Sequence, residues 1–149
     1  MATKGGAAQA ADVVPDVGDR QMVLLRERAL AVMERAYAPY SKFKVGAALR
    51  TKAGRVFHGC NVENCTYGLT VCAERVALLS ALAAGEREFD AIVVVTQSDE
   101  PGTPCGPCRQ LMWEYCGDID VTLAGLKGQR VDYKLAELFP HPFYFSLEE

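Results

Sequence analysis

Two short stretches hold the side chains that could do chemistry: Val71-Cys72-Ala73-Glu74-Arg75 and Pro104-Cys105-Gly106-Pro107-Cys108-Arg109. Three cysteines arranged as one plus a Cys-x-x-Cys pair suit zinc, which takes three protein ligands when it works as a catalyst and leaves its fourth tetrahedral position open. A carboxylate two residues past the first cysteine then has a use that needs no bond to the metal. Water on zinc loses much of its pKa, and Glu74 beside it is placed to take the proton and pass it to a substrate. Cys72, Cys105 and Cys108 are therefore the candidate ligands of one zinc ion, and Glu74 is the candidate proton carrier.

Positioning these groups falls to a run of short elements. Residues 1–17 are small, rich in Ala and Gly and without periodicity, and read as a mobile tail ahead of a single domain over 18–149. From Asp19, taken as a cap, Met22, Leu25, Ala29, Val32, Met33 and Ala36 recur at helical spacing, and the helix finishes before Pro39. Lys44 to Thr51 and Arg55 to Val62 read as a strand hairpin turning at Lys52-Ala53-Gly54. Cys72 opens an Ala- and Leu-rich helix that ends at Gly85 and is apolar nearly all round, so it is expected to be buried. Ala91 to Thr96 is a β-branched run of the kind that fills the centre of a sheet covered on both faces. Gly106 to Tyr115 fits a helix with Pro107 in its first turn, Asp120 to Ala124 another strand, and Tyr133 to Leu138 a weaker helix. Helices between apolar strands predict an α/β fold, a three-layer α/β/α sandwich with a mixed sheet.

This placement puts Cys72 and the Cys105/Cys108 pair at two helix N-termini, where free backbone N–H groups and the macrodipole favour thiolate over thiol. Three thiolates and Zn²⁺ sum to a negative charge, so the site needs a cation nearby. Arg75 is the candidate, donating to the thiolates and offsetting their charge, with a surface arginine as its ordinary reading.

Composition narrows the classes. The 149 residues are 50% hydrophobic, and 16 basic against 19 acidic side chains give a net charge of −3, the wrong sign for a nucleic-acid backbone. No apolar run reaches the roughly 18 residues of a membrane span, and the first residues show neither a signal nor a transit pattern. A soluble, cytoplasmic protein is expected, whose six cysteines are thiols or ligands rather than disulfides. Two other readings use the same cysteines: a thioredoxin-type Cys-Gly-Pro-Cys dithiol, and a closed structural site with Cys60 or Cys65 as fourth thiolate. His58 and His141 lack ligand spacing and read as ordinary polar residues, and Cys116 as core.

Taken together, Tyr40-Ser41-Lys42-Phe43-Lys44-Val45-Gly46-Ala47-Ala48-Leu49, Gly59-Cys60-Asn61-Val62-Glu63-Asn64, Cys72-Ala73-Glu74-Arg75 and Pro104-Cys105-Gly106-Pro107-Cys108-Arg109-Gln110 resemble the short, homotetrameric cytidine deaminases of pyrimidine salvage. The match spans nearly everything after the tail, and cysteine at the first ligand position resembles the short branch. The resemblance implies a five-stranded sheet, one zinc per subunit, and hydrolysis of cytidine and 2′-deoxycytidine to uridine and 2′-deoxyuridine with release of ammonia. Glu74 then carries a proton from water to ring N3 and helps the amino group leave.

The same resemblance implies substrate contacts. Asn61 and Glu63, on one face by strand alternation, resemble the pair that holds the ribose 3′-hydroxyl, and that carboxylate repels a 3′-phosphate. Phe43 resembles the aromatic wall for the pyrimidine, and the Ala73 carbonyl resembles the acceptor for its amino group. Plain core for Phe43 and a turn for Asn61 are their ordinary readings. Cys65, Tyr67 and Phe143 resemble groups that reach a neighbouring subunit's pocket in a tetramer with composite sites. His141-Pro142 stiffens the approach and no glycine follows Phe143, so Phe145 is the other candidate, and an intrachain core aromatic the plain one. Four aromatics in Leu138 to Phe145 are more than the end of a small monomer leaves in water. Blasticidin-type deaminases share the zinc motifs and are the alternative substrate class. Nothing visible in the sequence addresses the ribose 2′ position.

Overall fold

In the computed structural model, which describes residues 17–147, the β-branched run ending at Thr96 is the middle strand of a five-stranded sheet. The strands are β1 (Val45–Thr51), β2 (Val56–Cys60), β3 (Phe89–Thr96), β4 (Asp120–Ala124) and β5 (Arg130–Lys134), in spatial order β2-β1-β3-β4-β5. Val94 of β3 lies opposite Ala47 of antiparallel β1 and Leu123 of parallel β4, so the sheet is mixed, as expected. Around it stand α1 (Val17–Met33), α2 (Ala73–Ala83), α3 (Gly106–Cys116) and the single turn α4 (Leu135–Leu138).

Strand alternation divides the core between the two faces. Ala47, Leu49, Ile92, Val94, Val121 and Leu123 meet Ala77 and Leu78 of α2 and Met112 of α3. Ala48, Ala91, Val93, Val95 and Ala124 meet Leu25, Ala29 and Met33 of α1 on the other face. The result is the expected three-layer α/β/α sandwich. No helix among the described residues is long and apolar enough to cross a membrane.

Gly59 of β2 sets how closely α2 approaches the sheet. A Cβ there would stand 2.5 Å from the Ala77 nitrogen and 2.7 Å from the Ala73 carbonyl oxygen. Backbone therefore lies on backbone, and the first turn of α2, with Ala73 and Glu74, is held at a fixed height over β2. Gly59→Ala is expected to displace α2 and lower the melting temperature by roughly 5 °C or more, through overpacking that costs about 1–3 kcal/mol. An unchanged melting temperature by calorimetry would show that the helix is not seated this way.

Several expectations are corrected. Asp19 lies within α1 (Val17–Met33) rather than ahead of it; residues 1–16 of the expected tail lie outside the described residues. β2 ends at Cys60, and Asn61 and Glu63 owe their shared side to Val62, which bridges Tyr37 and Val71 beyond the strand. α2 buries Ala73, Glu74, Ala77, Leu78 and Ala81 but leaves Leu79 and Ala83 exposed, so it is one-sided rather than enclosed. The helix expected from Tyr133 starts only at Leu135, because Arg130–Lys134 pairs with β4 as a fifth strand.

Candidate active site

Cys72 is the N-cap of α2 (φ −70°, ψ 155°) and Cys105 the N-cap of α3 (φ −66°, ψ 165°). Neither side chain spends itself on a capping hydrogen bond, so both sulfurs stay available to another partner. Cys108, in the first turn of α3, is buried and completes the group. The three Sγ atoms lie within 4.8 Å of one another, 3.8 Å between Cys72 and Cys105 and 3.1 Å between Cys105 and Cys108. A tetrahedron with metal–sulfur bonds of about 2.3 Å has edges of about 3.8 Å, so this donor set and its spacing fit zinc. Among the described residues neither Cys60 nor Cys65 joins the group, which leaves the fourth position without a protein ligand and removes the closed structural site. A third sulfur beside Cys105 and Cys108 also sets the pair apart from a simple redox dithiol.

The electrostatics follow from packing three sulfurs beneath one guanidinium. Cys72 is held down to about 5, chiefly by its hydrogen bond with Cys108 and further by Arg75, against the cost of burial. Cys108 is pushed up by that same hydrogen bond and by burial, so without metal it keeps the proton that metal binding must displace. Arg75 Nη2 donates to Cys72 Sγ at 3.3 Å and to the Thr70 carbonyl at 3.2 Å. Its Nε is buried with no partner among the described residues. The Glu74 carboxyl, 6% exposed, is pushed up to about 7 by burial first and by the Cys72 thiolate second. A carboxyl poised near neutrality suits a group that must both take and release a proton.

A cleft of about 300 Å³ opens over this group and brings together Phe43, Asn61, Glu63, Ala73 and Glu74 with Cys72 and Cys105. The Asn61 amide accepts the Val45 N–H at 2.9 Å and donates to the Phe43 carbonyl at 2.8 Å, which locks its orientation. Glu63 receives the Tyr40 and Ser41 amides and the Ser41 hydroxyl, and the hydroxyl, with those amides, holds its carboxyl below the usual range.

Three of the expected substrate contacts stand outside the cleft. Tyr67 lines an adjoining hollow of about 350 Å³ and meets Tyr40 edge to face at 5.9 Å. Cys65 is exposed beside Asn64, and Phe143 is 74% exposed. Sequence reasoning missed what holds the C-terminal stretch in place. Gln110 pairs with both the N–H and the carbonyl of Phe143, and Arg109 donates to the carbonyls of Pro104 and Leu138. It also missed Ser41, Thr70, Thr96, Gly102 and Thr103 in the cleft wall, of which only Ser41 carries a sequence signal, its place two residues before Phe43. His58 is exposed and away from the cleft, and burial pushes the Cys116 thiol up to about 12.

Comparison with known proteins gives the same picture. A cytidine deaminase of Halalkalibacterium halodurans is 48% identical over 126 residues, 84% of this chain and 94% of that one. The crystal structure of a cytidine deaminase from Burkholderia pseudomallei superposes with a TM-score of 0.79 at 52% identity, covering 81% of this chain and 98% of the other. A blasticidin-S deaminase of Bacillus cereus is 39% identical over 108 residues, 67% of this chain and 76% of that one. Residues 20–123 match the family described as the cytidine and deoxycytidylate deaminase zinc-binding region. With three thiolates spaced for zinc and a buried carboxylate beside them, the chain belongs to that family of zinc-dependent deaminases.

Proposed function

We propose that this chain hydrolyses cytidine and 2′-deoxycytidine to uridine and 2′-deoxyuridine with release of ammonia, as a cytoplasmic enzyme of pyrimidine salvage whose catalytic domain runs from residue 18 to 149. The observation that carries the reading is the buried Glu74, which lines one cleft with Phe43, Asn61 and Glu63 and stands beside the three sulfurs.

Cys72, Cys105 and Cys108 would hold zinc, which supplies a Lewis acid that makes water acidic enough to ionise near neutral pH. The remaining chemistry belongs to the chain. Glu74 takes a proton from the water, whose oxygen bonds to ring C4, and delivers it to N3; the second proton goes to the departing amine, so that one water is consumed and one ammonia leaves. The Ala73 carbonyl accepts from the amino group and so favours cytosine over uracil. Phe43 packs against the pyrimidine, and Asn61 and Glu63 hold the ribose 3′-hydroxyl. The fixed negative charge of Glu63 repels a 3′-phosphate, so free nucleosides enter and nucleic acids do not.

The test is metal analysis of the purified protein together with its ultraviolet absorbance on adding cytidine. Zinc with turnover is expected; zinc without turnover on cytidine but with turnover on blasticidin S would move the substrate to the antibiotic class.

Arg75 offsets the charge of the sulfurs, supported by its 3.3 Å contact with Cys72. Arg75→Gln is expected to keep fold and zinc while kcat falls roughly ten- to a hundredfold, as with other losses next to metal ligands. Wild-type kinetics in the zinc-loaded variant would remove Arg75 from this role.

Homotetrameric assembly with composite sites accounts for Tyr67, Phe143 and Phe145, all three exposed in one protomer. Cys65 and Tyr67 then complete a neighbour's site at the ribose 5′ end, and Phe143 packs on its ligand. Phe143→Ala is expected to raise KM for cytidine about tenfold, the order of a buried aromatic contact partly lost. A fully active monomer in sedimentation would rule out the composite site; a KM change in Phe145→Ala alone would transfer the role to Phe145.

A further inference from the structure

We infer that Ser41 is a positioning residue for the reaction: its hydroxyl fixes Glu63 as an acceptor-only carboxylate and thereby sets the site's demand for a ribose 3′-hydroxyl that donates. This rests on the reading of Glu63 as the ribose anchor given above. Glu63 Oε1 receives the Tyr40 N–H at 2.9 Å and the Ser41 N–H at 3.1 Å, and Oε2 receives the Ser41 hydroxyl at 2.5 Å. Ser41 Oγ in turn accepts the Phe43 N–H at 3.0 Å.

That last bond decides the direction of the hydroxyl. Serine has one proton and two lone pairs. With the Phe43 amide pointing at a lone pair, the proton is left for Glu63. Every group the loop presents to the carboxylate is then a donor, and a protonated carboxyl would find nothing there to give its proton to. A carboxylate has about four lone-pair sites. Two on Oε1 and one on Oε2 are taken, which leaves a single acceptor position on Oε2 for a ligand. A ribose hydroxyl can fill it. A hydrogen, an ether or a phosphate at that carbon has no proton to offer, and the vacant acceptor then counts against binding.

Two further observations tie the device to the rest of the cleft. Among the described residues Lys42 is the only non-glycine with positive φ, at 58°, so the loop between the two ends of the Ser41 linkage is held in a conformation that costs energy and persists because its surroundings fix it. Asn61 Nδ2 donates to the Phe43 carbonyl, so Phe43 is bound through its N–H to Ser41 and through its C=O to Asn61. The wall for the base and the anchor for the sugar are thus joined through one hydroxyl.

The experiment compares cytidine with 3′-deoxycytidine for the wild type, Ser41→Ala and Ser41→Thr, with zinc content and melting temperature measured on each. The wild type is expected to prefer cytidine. Ser41→Ala is expected to raise KM for cytidine about tenfold, the size of a lost hydrogen bond to a charged group, with kcat within about twofold. KM for 3′-deoxycytidine should rise less, since it loses only the Ser41 support of Phe43, so the preference for cytidine shrinks, and Ser41→Thr should restore it. Ser41 is exposed, so the alanine variant has no core to disrupt; should it still fail to fold, Ser41→Cys, with its weak S–H donor, is expected to show the same selective loss at smaller size. Equal losses on both substrates, or a preference unchanged in Ser41→Ala and Ser41→Cys, would overturn the role of Ser41. A wild-type enzyme indifferent to the 3′-hydroxyl would instead overturn the reading of Glu63 itself.

Discussion

Glu74→Gln is expected to lower kcat at least about a thousandfold while the protein keeps its zinc and its melting temperature. Glutamine has the size and hydrogen-bonding reach of the carboxyl but cannot take and release a proton near neutral pH. General acid–base catalysis is worth about 10² to 10⁴, and one carboxyl here serves the water, N3 and the amine in turn. The geometry separates this role from two others. As a metal ligand, Glu74 would be needed for zinc binding, yet the three sulfurs within 4.8 Å of one another form a complete catalytic donor set without it. As a helix-start charge it would stabilise α2, yet burial of its carboxyl makes the ionised form costly and pushes the pKa up to about 7. Removing that charge should leave cytidine binding unchanged or tighter. Loss of zinc from the variant, or a kcat within tenfold of wild type, would show that the proton is carried elsewhere.

Cys105→Ala should abolish metal binding and, with it, turnover. Two thiolates cannot make the three-ligand set that holds a catalytic zinc. Cys105 suits the test better than Cys108 because its side chain is exposed and makes no capping hydrogen bond, whereas Cys108 is packed into the core against α2 and the sheet. The fold of Cys105→Ala should therefore survive, and circular dichroism of the variant should match that of wild-type protein stripped with a chelator. Cys116→Ala is the control; its half-buried sulfur is not in the metal group, and zinc should stay stoichiometric. Full zinc content in Cys105→Ala after gel filtration in the presence of a chelator would remove Cys105 from the ligand set.

The parts of this molecule that could be read in its sequence are those where one physical demand dominates. Burial on both faces makes Ile92 to Val95 unmistakable as a central strand, and glycine at 85 with φ 92° ends the second helix where a left-handed residue is required. The metal group was legible because thiol spacing and helix starts are local properties. β5 was not legible, since an edge strand with one neighbour needs no apolar face. Arg130, Val131, Asp132 and Lys134 are all exposed, and its identity comes from pairing with β4. The side shared by Asn61 and Glu63 follows from alternation about Val62, but its bridges to Tyr37 and Val71, beyond the end of β2, come from segments that no local pattern joins. The grip of Gln110 on the Phe143 backbone joins positions 33 residues apart, and no local pattern announces it.

The two helix starts that supply the sulfurs tie the ion to the sheet. Cys72 and Cys105 are separated by 33 residues, and the strand between them, β3, pairs with β1 in the sheet against which the two helix ends face one another. The three-sulfur group exists only where the sheet is paired, so ion affinity and fold stability are linked, and stripping the ion with a chelator is expected to lower the melting temperature.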